Sequence, residues 1–171
     1  MIRFANYNDA YKIASIYEDA KELFSELGYF QWKGEYPNIN NAMHDINNNQ
    51  ILIIENDNDI ISTLTIMYEI DHNYDNIDGK WLNNNRYVSI HRNCTNKKYY
   101  HQGYMKRLFI EAEHVIKSKG INNIRIDTHK NNIYMQNLLK SLGYKECGII
   151  TLLNRSDLDD NLRIAYQKVL I

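Results

Sequence analysis

The chain reads as a mixed α/β protein of the α+β kind, and three features of the sequence predict this. Apolar residues at helical spacing alternate along the chain with short β-branched runs. Near the middle, two strand-like runs separated by a short polar turn form a hairpin pattern. In the second half, a strand-like run twice passes through a polar turn into a helical run that stops on a glycine, Gly120 and then Gly143.

Taken in order, Ile2-Arg3-Phe4-Ala5 is a short strand, and Asn8 is the expected N-cap of the helix that follows. In that helix Ile13, Ile16, Tyr17, Ala20, Leu23, Phe24 and Leu27 recur at helical spacing and predict one buried face, ending near Gly28. Phe30 to Pro37 is an aromatic loop with Trp32 and Tyr36, and Asn40 to Asn47 a second helical stretch. Ile51-Leu52-Ile53-Ile54 and Ile60 to Met67 are hairpin partners across the Asn56-Asp57-Asn58-Asp59 turn. Asp71 to Asn85 reads as a long polar loop containing Trp81. A strand at Arg86 to Thr95, a helix from Tyr104 to Lys119, a strand at Asn123 to Thr128 and a helix from about Asn131 to Leu142 follow. Two strands close the chain, the last at Leu162 to Ile171. No repeat, linker or second domain is visible, so a single domain over residues 1–171 is expected.

Composition narrows the function classes. With 44% hydrophobic and 24% charged residues over 171 positions the chain is globular and large enough for a proper core. A net charge of −1 gives no electrostatic footprint for a nucleic-acid backbone. Cys94 and Cys147 lie far apart without a metal-ligand spacing, and the six histidines make none either, so no metal is expected. Neither a leader-like segment nor a run of the ~20 apolar residues that a membrane helix needs is present, and a cytoplasmic protein without a membrane partner is expected.

The most informative stretch is Tyr99-Tyr100-His101-Gln102-Gly103-Tyr104-Met105-Lys106-Arg107-Leu108, which joins a strand to a helix. The first N–H groups of a helix have no intrahelical partner, and the helix dipole puts partial positive charge there, so such a turn suits phosphate. Gly103 removes the Cβ that would keep a ligand from the backbone, while Lys106 and Arg107 add full charges within the first turn. An ordinary turn with solvated Lys and Arg would look similar, and the downstream order separates the two readings. The strand Ile124-Arg125-Ile126-Asp127-Thr128 precedes a helix that begins after Asn131-Asn132 and closes on Leu142-Gly143-Tyr144.

In this order the segment from Tyr87 to Ile150 resembles the GNAT superfamily of N-acetyltransferases. The family's pyrophosphate loop reads Gln/Arg-x-x-Gly-x-Gly/Ala; here Tyr100-His101-Gln102-Gly103-Tyr104-Met105 keeps only the central glycine. Asn132 matches the Asn that starts the family's next helix, and Leu142-Gly143-Tyr144 matches its closing Leu-Gly-Phe with Tyr for Phe. Asp127-Thr128-His129, Met135-Gln136 and Cys147-Gly148-Ile149 resemble a subgroup of the same family. The resemblance implies the GNAT acyl-CoA N-acyltransferase fold: a central, mostly antiparallel sheet flanked by helices, with its fourth and fifth strands splayed and a bulge in the fourth near Asn93.

It also implies acetyl-CoA as acetyl donor, bound by Asn93, Cys94 and Thr95 on the fourth strand, by Tyr100 through Lys106 (His101, Gln102, Gly103, Tyr104, Met105) in the turn, and by Asn132. The developing charge on the thioester oxygen is met in this fold by a backbone N–H. The departing thiolate commonly takes a proton from a Tyr seven residues after the helix-starting Asn. That position is Leu139 here, which leaves the acid to Tyr134, to Tyr144, to water or to nothing. His91 reads either as a general base, since an unperturbed imidazole titrates near pH ~6.5, or as a packed strand histidine. Asp127 and Thr128 read as helix-entry hydrogen-bonding groups, and Cys94 as a buried inert thiol rather than a nucleophile. His91 and Tyr134 are therefore the catalytic candidates.

Trp32, Tyr36 and Glu69 are the candidates for the acceptor side, where aromatic loops suit an amphipathic amine or simply cover the core. The acceptor is a small-molecule or peptide amine, and the protein a monomer or homodimer. Acetyl transfer is expected by direct attack of the amine in a ternary complex. A non-catalytic acyl-CoA-binding or regulatory domain on the same scaffold is the alternative, and an unrelated α/β binding protein a third reading.

Overall fold

The computed structural model describes residues 1–29, 31–32, 34–153, 155 and 160–171. The strands are β1 (Ile2–Phe4), β2 (Ile51–Glu55), β3 (Ile60–Met67), β4 (Ile77–Gly79), β5 (Val88–Thr95), β6 (Asn123–Thr128), β7 (Lys145–Thr151) and β8 (Leu162–Val169). The helices are α1 (Ala10–Glu26), α2 (Ile39–Asn47), α3 (Tyr104–Ser118) and α4 (Ile133–Ser141). The fold is mixed α/β with mostly antiparallel strand pairing, as expected. The chain forms two compact units, one of Met1–Ile66 with Ile90–His114 and one of Met67–Ser89 with Val115–Ile171.

In the first unit β1 and β2 pair antiparallel from Ile2↔Ile54 to Phe4↔Leu52, and β2 pairs with β3 through Ile51↔Thr65 to Ile54↔Ser62. Residues 90–95 of β5 lie beside β3: the Ser62 and Thr95 hydroxyls are 2.8 Å apart, and the Asn96 N–H donates to the Ile61 carbonyl at 2.8 Å. Helix α1 turns Ile13, Ile16, Tyr17, Ala20 and Phe24 into a core that also takes Ala42 and Ile46 of α2, Ile51 and Ile53 of β2, and Cys94. The predicted stripe is therefore real up to Phe24, but Leu27 lies past the helix end and is exposed.

The start of α1 corrects one expectation. Asn8 is not the cap: a short 3-10 turn at Tyr7–Asp9 precedes α1 and is capped by Asn6, whose side chain accepts from the Asn8 N–H while the Asp9 carboxylate accepts from the Asn6 N–H at 2.8 Å, and Asp9 is the N-cap residue of α1 itself. Asp9 takes this place because Arg3 grips it at 2.7 Å and grips Glu55 of β2 with its Nε, also at 2.7 Å. A partner about fifty residues downstream decides which asparagine caps the turn.

In the second unit the strands run β5-β6-β8-β7-β4. The opening residues of β5 pair parallel with β6 at Val88↔Ile124 and Ser89↔Arg125, and parallel neighbours require a crossover connection, here the segment carrying α3. β6 is antiparallel to β8 from Asn123↔Val169 to Thr128↔Ile164, and β8 antiparallel to β7. The segment expected to be a long polar loop, Asp71 to Asn85, instead carries a 3-10 turn at His72–Tyr74, capped by Asp71, and the strand β4. β4 pairs with β7 through Ile77↔Ile150, Asp78↔Ile149 and Gly79↔Gly148. With three residues it carries no readable period of its own; the exposed edge of β7 supplies its ladder. Tyr74, Trp81, Cys147, Ile150 and Ala165 form the core there, and the Trp81 indole N–H donates to the Tyr74 carbonyl at 3.1 Å.

Candidate acyl-donor site

In the first unit β5 leads into the predicted phosphate turn through a built corner. The Asn96 side chain accepts from the Lys98 N–H at 3.1 Å and opens a 3-10 turn at Lys97–Tyr99. The chain then reverses through His101 at φ 62 and Gly103 at φ 77, both left-handed, before α3 begins at Tyr104. Arg107 is the first intrahelical donor, its N–H on the Gly103 carbonyl at 3.2 Å, so the N–H groups of Tyr104, Met105 and Lys106 precede the helical ladder. A Cβ built on Gly103 would have no atom within 4 Å, so the backbone there faces open space. Positive φ with nothing above it is what a close anion approach to the backbone requires.

The corner is braced by paired charges. Lys97 lies 2.8 Å from Asp19 and Lys98 3.4 Å from Asp59, and the Tyr99 hydroxyl donates to Asp59 at 2.9 Å. The Tyr99 hydroxyl, with Lys98, holds the Asp59 carboxyl below the usual carboxylate range. The Tyr99 and Tyr104 rings meet edge to face at 6.0 Å, and Arg107 lies over the Tyr104 ring at 5.7 Å. His101, Gln102, Lys106 and Arg107 are exposed, and Tyr100 is half-buried with its phenol pushed up to about 12, chiefly by burial.

On β5, His91, Asn93 and Thr95 are half-buried and Cys94 is buried. Burial pushes the Cys94 thiol well above the ordinary range, so it is a neutral thiol at physiological pH. The strand carries one conformational outlier, Arg92 at φ 49, next to the residue where the resemblance implies a bulge. The Arg92 guanidinium is buried, with its Nε and one terminal nitrogen on a single oxygen of Asp45 at 2.8 and 2.7 Å and its other terminal nitrogen donating to the Tyr36 hydroxyl at 2.9 Å. Thr65 also donates to that Asp45 oxygen at 3.2 Å. Asp45 belongs to no motif; its one signal in the sequence is a carboxylate among Ala42 and Ile46 on the apolar face of a helix, where a charge needs a buried partner.

Tyr36 is half-buried, and Trp32 is 8% exposed, packed edge-on against Tyr17 and Phe24. In the second unit Glu69 is exposed. Asn132 caps α4, its side chain accepting from the Met135 N–H at 3.2 Å, and is itself buried. Tyr134, one turn-position into α4, is exposed, Leu139 is fully buried, and Tyr144 is buried. Asp127 accepts from the Tyr74 hydroxyl at 2.8 Å. His129 accepts the Asn131 N–H on Nδ1 at 3.1 Å, which leaves its Nε2 to face Asp160 at 3.5 Å. Burial, with Arg163 beyond it, pushes the His129 imidazole below its ordinary value. Among the described residues no group of three or more His, Cys, Asp or Glu side chains could hold a metal ion, and no helix is long and apolar enough to cross a membrane.

The model of the acetyltransferase (GNAT) family matches residues 13–144. A GNAT-family acetyltransferase from Streptococcus agalactiae is similar over 100% of this chain and 95% of its own, with 30% identity and a TM-score of 0.87. A ribosomal-protein-alanine N-acetyltransferase from Brucella melitensis shares the fold over 99% of both chains at 15% identity and a TM-score of 0.75. The PaiA N-acetyltransferase of Thermoplasma acidophilum, solved in complex with coenzyme A, shares it over 99% of this chain and 98% of its own at 19% identity and a TM-score of 0.66. No curated protein matches the chain. With the family model spanning most of the sequence and one GNAT structure alike over its full length, the chain belongs to the GNAT acetyltransferase family and is an acyltransferase of the N-acetyltransferase kind.

Proposed function

We propose that this protein moves an acetyl group from acetyl-CoA to a primary amine of a small molecule or peptide, by direct attack of the neutral amine in a ternary complex. Acetyl-CoA supplies the acyl group as a thioester. The observation that carries the reading is the turn at 101–103: a left-handed glycine backed by open space, followed at once by the unladdered N–H groups of Tyr104, Met105 and Lys106. These groups suit a pyrophosphate, and Lys106 adds a full charge within the same turn. The CoA complex of the Thermoplasma relative, on the same fold, supports the assignment. Asn93, Cys94 and Thr95 would offer their backbone to the donor from β5, and Asn132 is the proposed side-chain contact.

Direct attack is supported by the state of Cys94, whose thiol burial keeps neutral and therefore poorly nucleophilic. Leu139, fully buried where the family's acid commonly stands, leaves the thiolate to depart as the anion, through water or by way of another tyrosine. A reducing, cytoplasmic setting belongs to the same reading and fits two free cysteines, each buried in its own unit. Saturating CoA should raise the melting temperature, by the equivalent of about 2.7 kcal/mol at a hundredfold excess over the dissociation constant. Gly103→Glu fills the open space with a carboxylate and should abolish the rise while the protein stays folded. An undiminished rise in that variant would refute the site.

A further inference from the structure

Among the described residues, three non-glycine positions have a left-handed φ: Asn49, Arg92 and His101. Asn49 follows the end of α2, and His101 lies in the turn before α3, places where a chain commonly reverses. Arg92 is different, because it lies inside a strand. Arginine has no short polar side chain to ease this conformation, so at φ 49 its backbone is strained and must be held by its surroundings. The residues on either side, His91 and Asn93, are half-buried like Arg92, so the strained residue lies within the strand and not at its end.

The side chain of the same residue supplies the restraint. The guanidinium places two nitrogens on one Asp45 oxygen at 2.7 and 2.8 Å and a third on the Tyr36 hydroxyl at 2.9 Å, and its side chain is only 8% exposed. Asp45 is 3% exposed and stands on the core face of α2, with Thr65 of β3 donating to it as well. The fork is thus anchored to a helix and a neighbouring strand, and a charge buried this deeply resists separation from its partner. A straight strand could carry a buried ion pair without backbone strain. Here strain and anchor occur at one residue, immediately before Asn93 and Cys94.

We propose that Arg92, gripped by Asp45 and Tyr36, is a positioning residue that holds β5 in its left-handed turn and so sets the peptide groups of Asn93 and Cys94 for the acyl donor. The link to the donor rests on the function proposed above; the link between the fork and the backbone turn does not.

Glycine accepts a positive φ without a Cβ penalty and alanine does not, which separates the backbone role from the ion pair. Because removing Arg92 alone would strand a buried carboxylate, both substitutions are made with Asp45→Asn. Asp45→Asn/Arg92→Gly should bind CoA within about threefold of the unsubstituted protein, and Asp45→Asn/Arg92→Ala should bind about tenfold more weakly, the equilibrium scale of one strained residue. Isothermal titration calorimetry with CoA reads the affinities, and the amide proton and nitrogen shifts of Asn93 and Cys94 report the turn itself. Those shifts should move in the alanine variant and stay near their original values in the glycine variant.

Equal affinities and equal shifts in the two variants would overturn the proposal, since an ion pair serving stability alone lowers both melting temperatures alike. Should neither double variant fold, Arg92→Lys replaces the fork with a point charge. Displaced Asn93 and Cys94 amides with at least threefold weaker CoA binding are then expected, and unchanged values would overturn it. Failure of the unsubstituted protein to bind CoA would sink the functional reading, while the amide shifts would still decide for or against the turn-holding role.

Discussion

Asn132 and His129 show how single side chains do their work at the entrance to α4. The Asn132 side chain satisfies the Met135 N–H, so Asn132→Ala should cost about 1 kcal/mol in urea unfolding, the usual worth of such a cap. Asn132→Asp keeps an accepting oxygen and should cost far less. If the proposed CoA contact of Asn132 is real, the same Asp variant should still bind CoA more weakly, through charge repulsion; equal affinity would leave the residue a cap only. His129 makes a pH-dependent contribution. Burial first, then Arg163 and Lys130, push its imidazole below the ordinary value, and Asp160 only partly opposes them. The folded pKa thus lies under the unfolded value of about 6.5, so its stabilisation is complete above that pH and is lost as pH falls through the folded pKa. Between about pH 7.5 and 5 the unsubstituted protein should lose more melting temperature than His129→Gln. A parallel decline in the two would show that His129 is not the titrating group.

At the scale of elements, the contact between β4 and β7 is the most demanding piece of packing. Gly79 and Gly148 face each other at φ 141 and 145, and a Cβ on Gly148 would stand 2.2 Å from the Asp78 carbonyl oxygen. A Cβ on Gly79 would meet the Cys147 carbonyl at the same distance. Neither obstacle is a flexible side chain, so relief requires the two backbones to part. Gly148→Ala should therefore destabilise by on the order of 2–4 kcal/mol, combining backbone strain with overpacking. Gly120→Ala is the control: φ is 74, but no atom lies within 4 Å of its Cβ, so only the strain of about 1 kcal/mol applies. Equal shifts of the denaturation midpoint would mean that the β4–β7 crossing is looser than the carbonyl distances imply.

The order in which substrates bind and products leave is a property of the whole molecule. Direct attack requires both substrates bound at once, so initial rates over an amine panel should give intersecting double-reciprocal lines and not the parallel lines of a covalent acetyl-enzyme. Cys94→Ala should keep at least about a third of the activity, because a thiol that burial holds neutral contributes packing and little nucleophilicity. Parallel lines, or an acetyl adduct on Cys94 by mass spectrometry with activity lost in Cys94→Ala, would replace direct attack with a two-step route. The rate should rise with pH as the acceptor amine gives up its proton, there being no acid at Leu139 whose own ionisation would turn the profile down.

Much of this architecture is local in origin and was therefore legible in the sequence. The bounds of β3 and β6 follow from β-branched runs, and the α1 stripe from Ile13 to Phe24 is buried as its spacing implies. The glycines after α1, α3 and α4 do take positive φ at 28, 120 and 143. Such features depend on side-chain period and backbone freedom within a few residues, which the order of amino acids states directly. The strand β4 was not legible, because three residues have no period and their partner lies about seventy positions downstream. Nor was the cap at Asn6, chosen by an Arg3 grip that also needs Glu55, nor the turn at Arg92, held by Asp45 and Tyr36 from distant segments. Edge pairing, a buried charge and backbone strain each depend on which remote residues meet, and only the tertiary fold decides that.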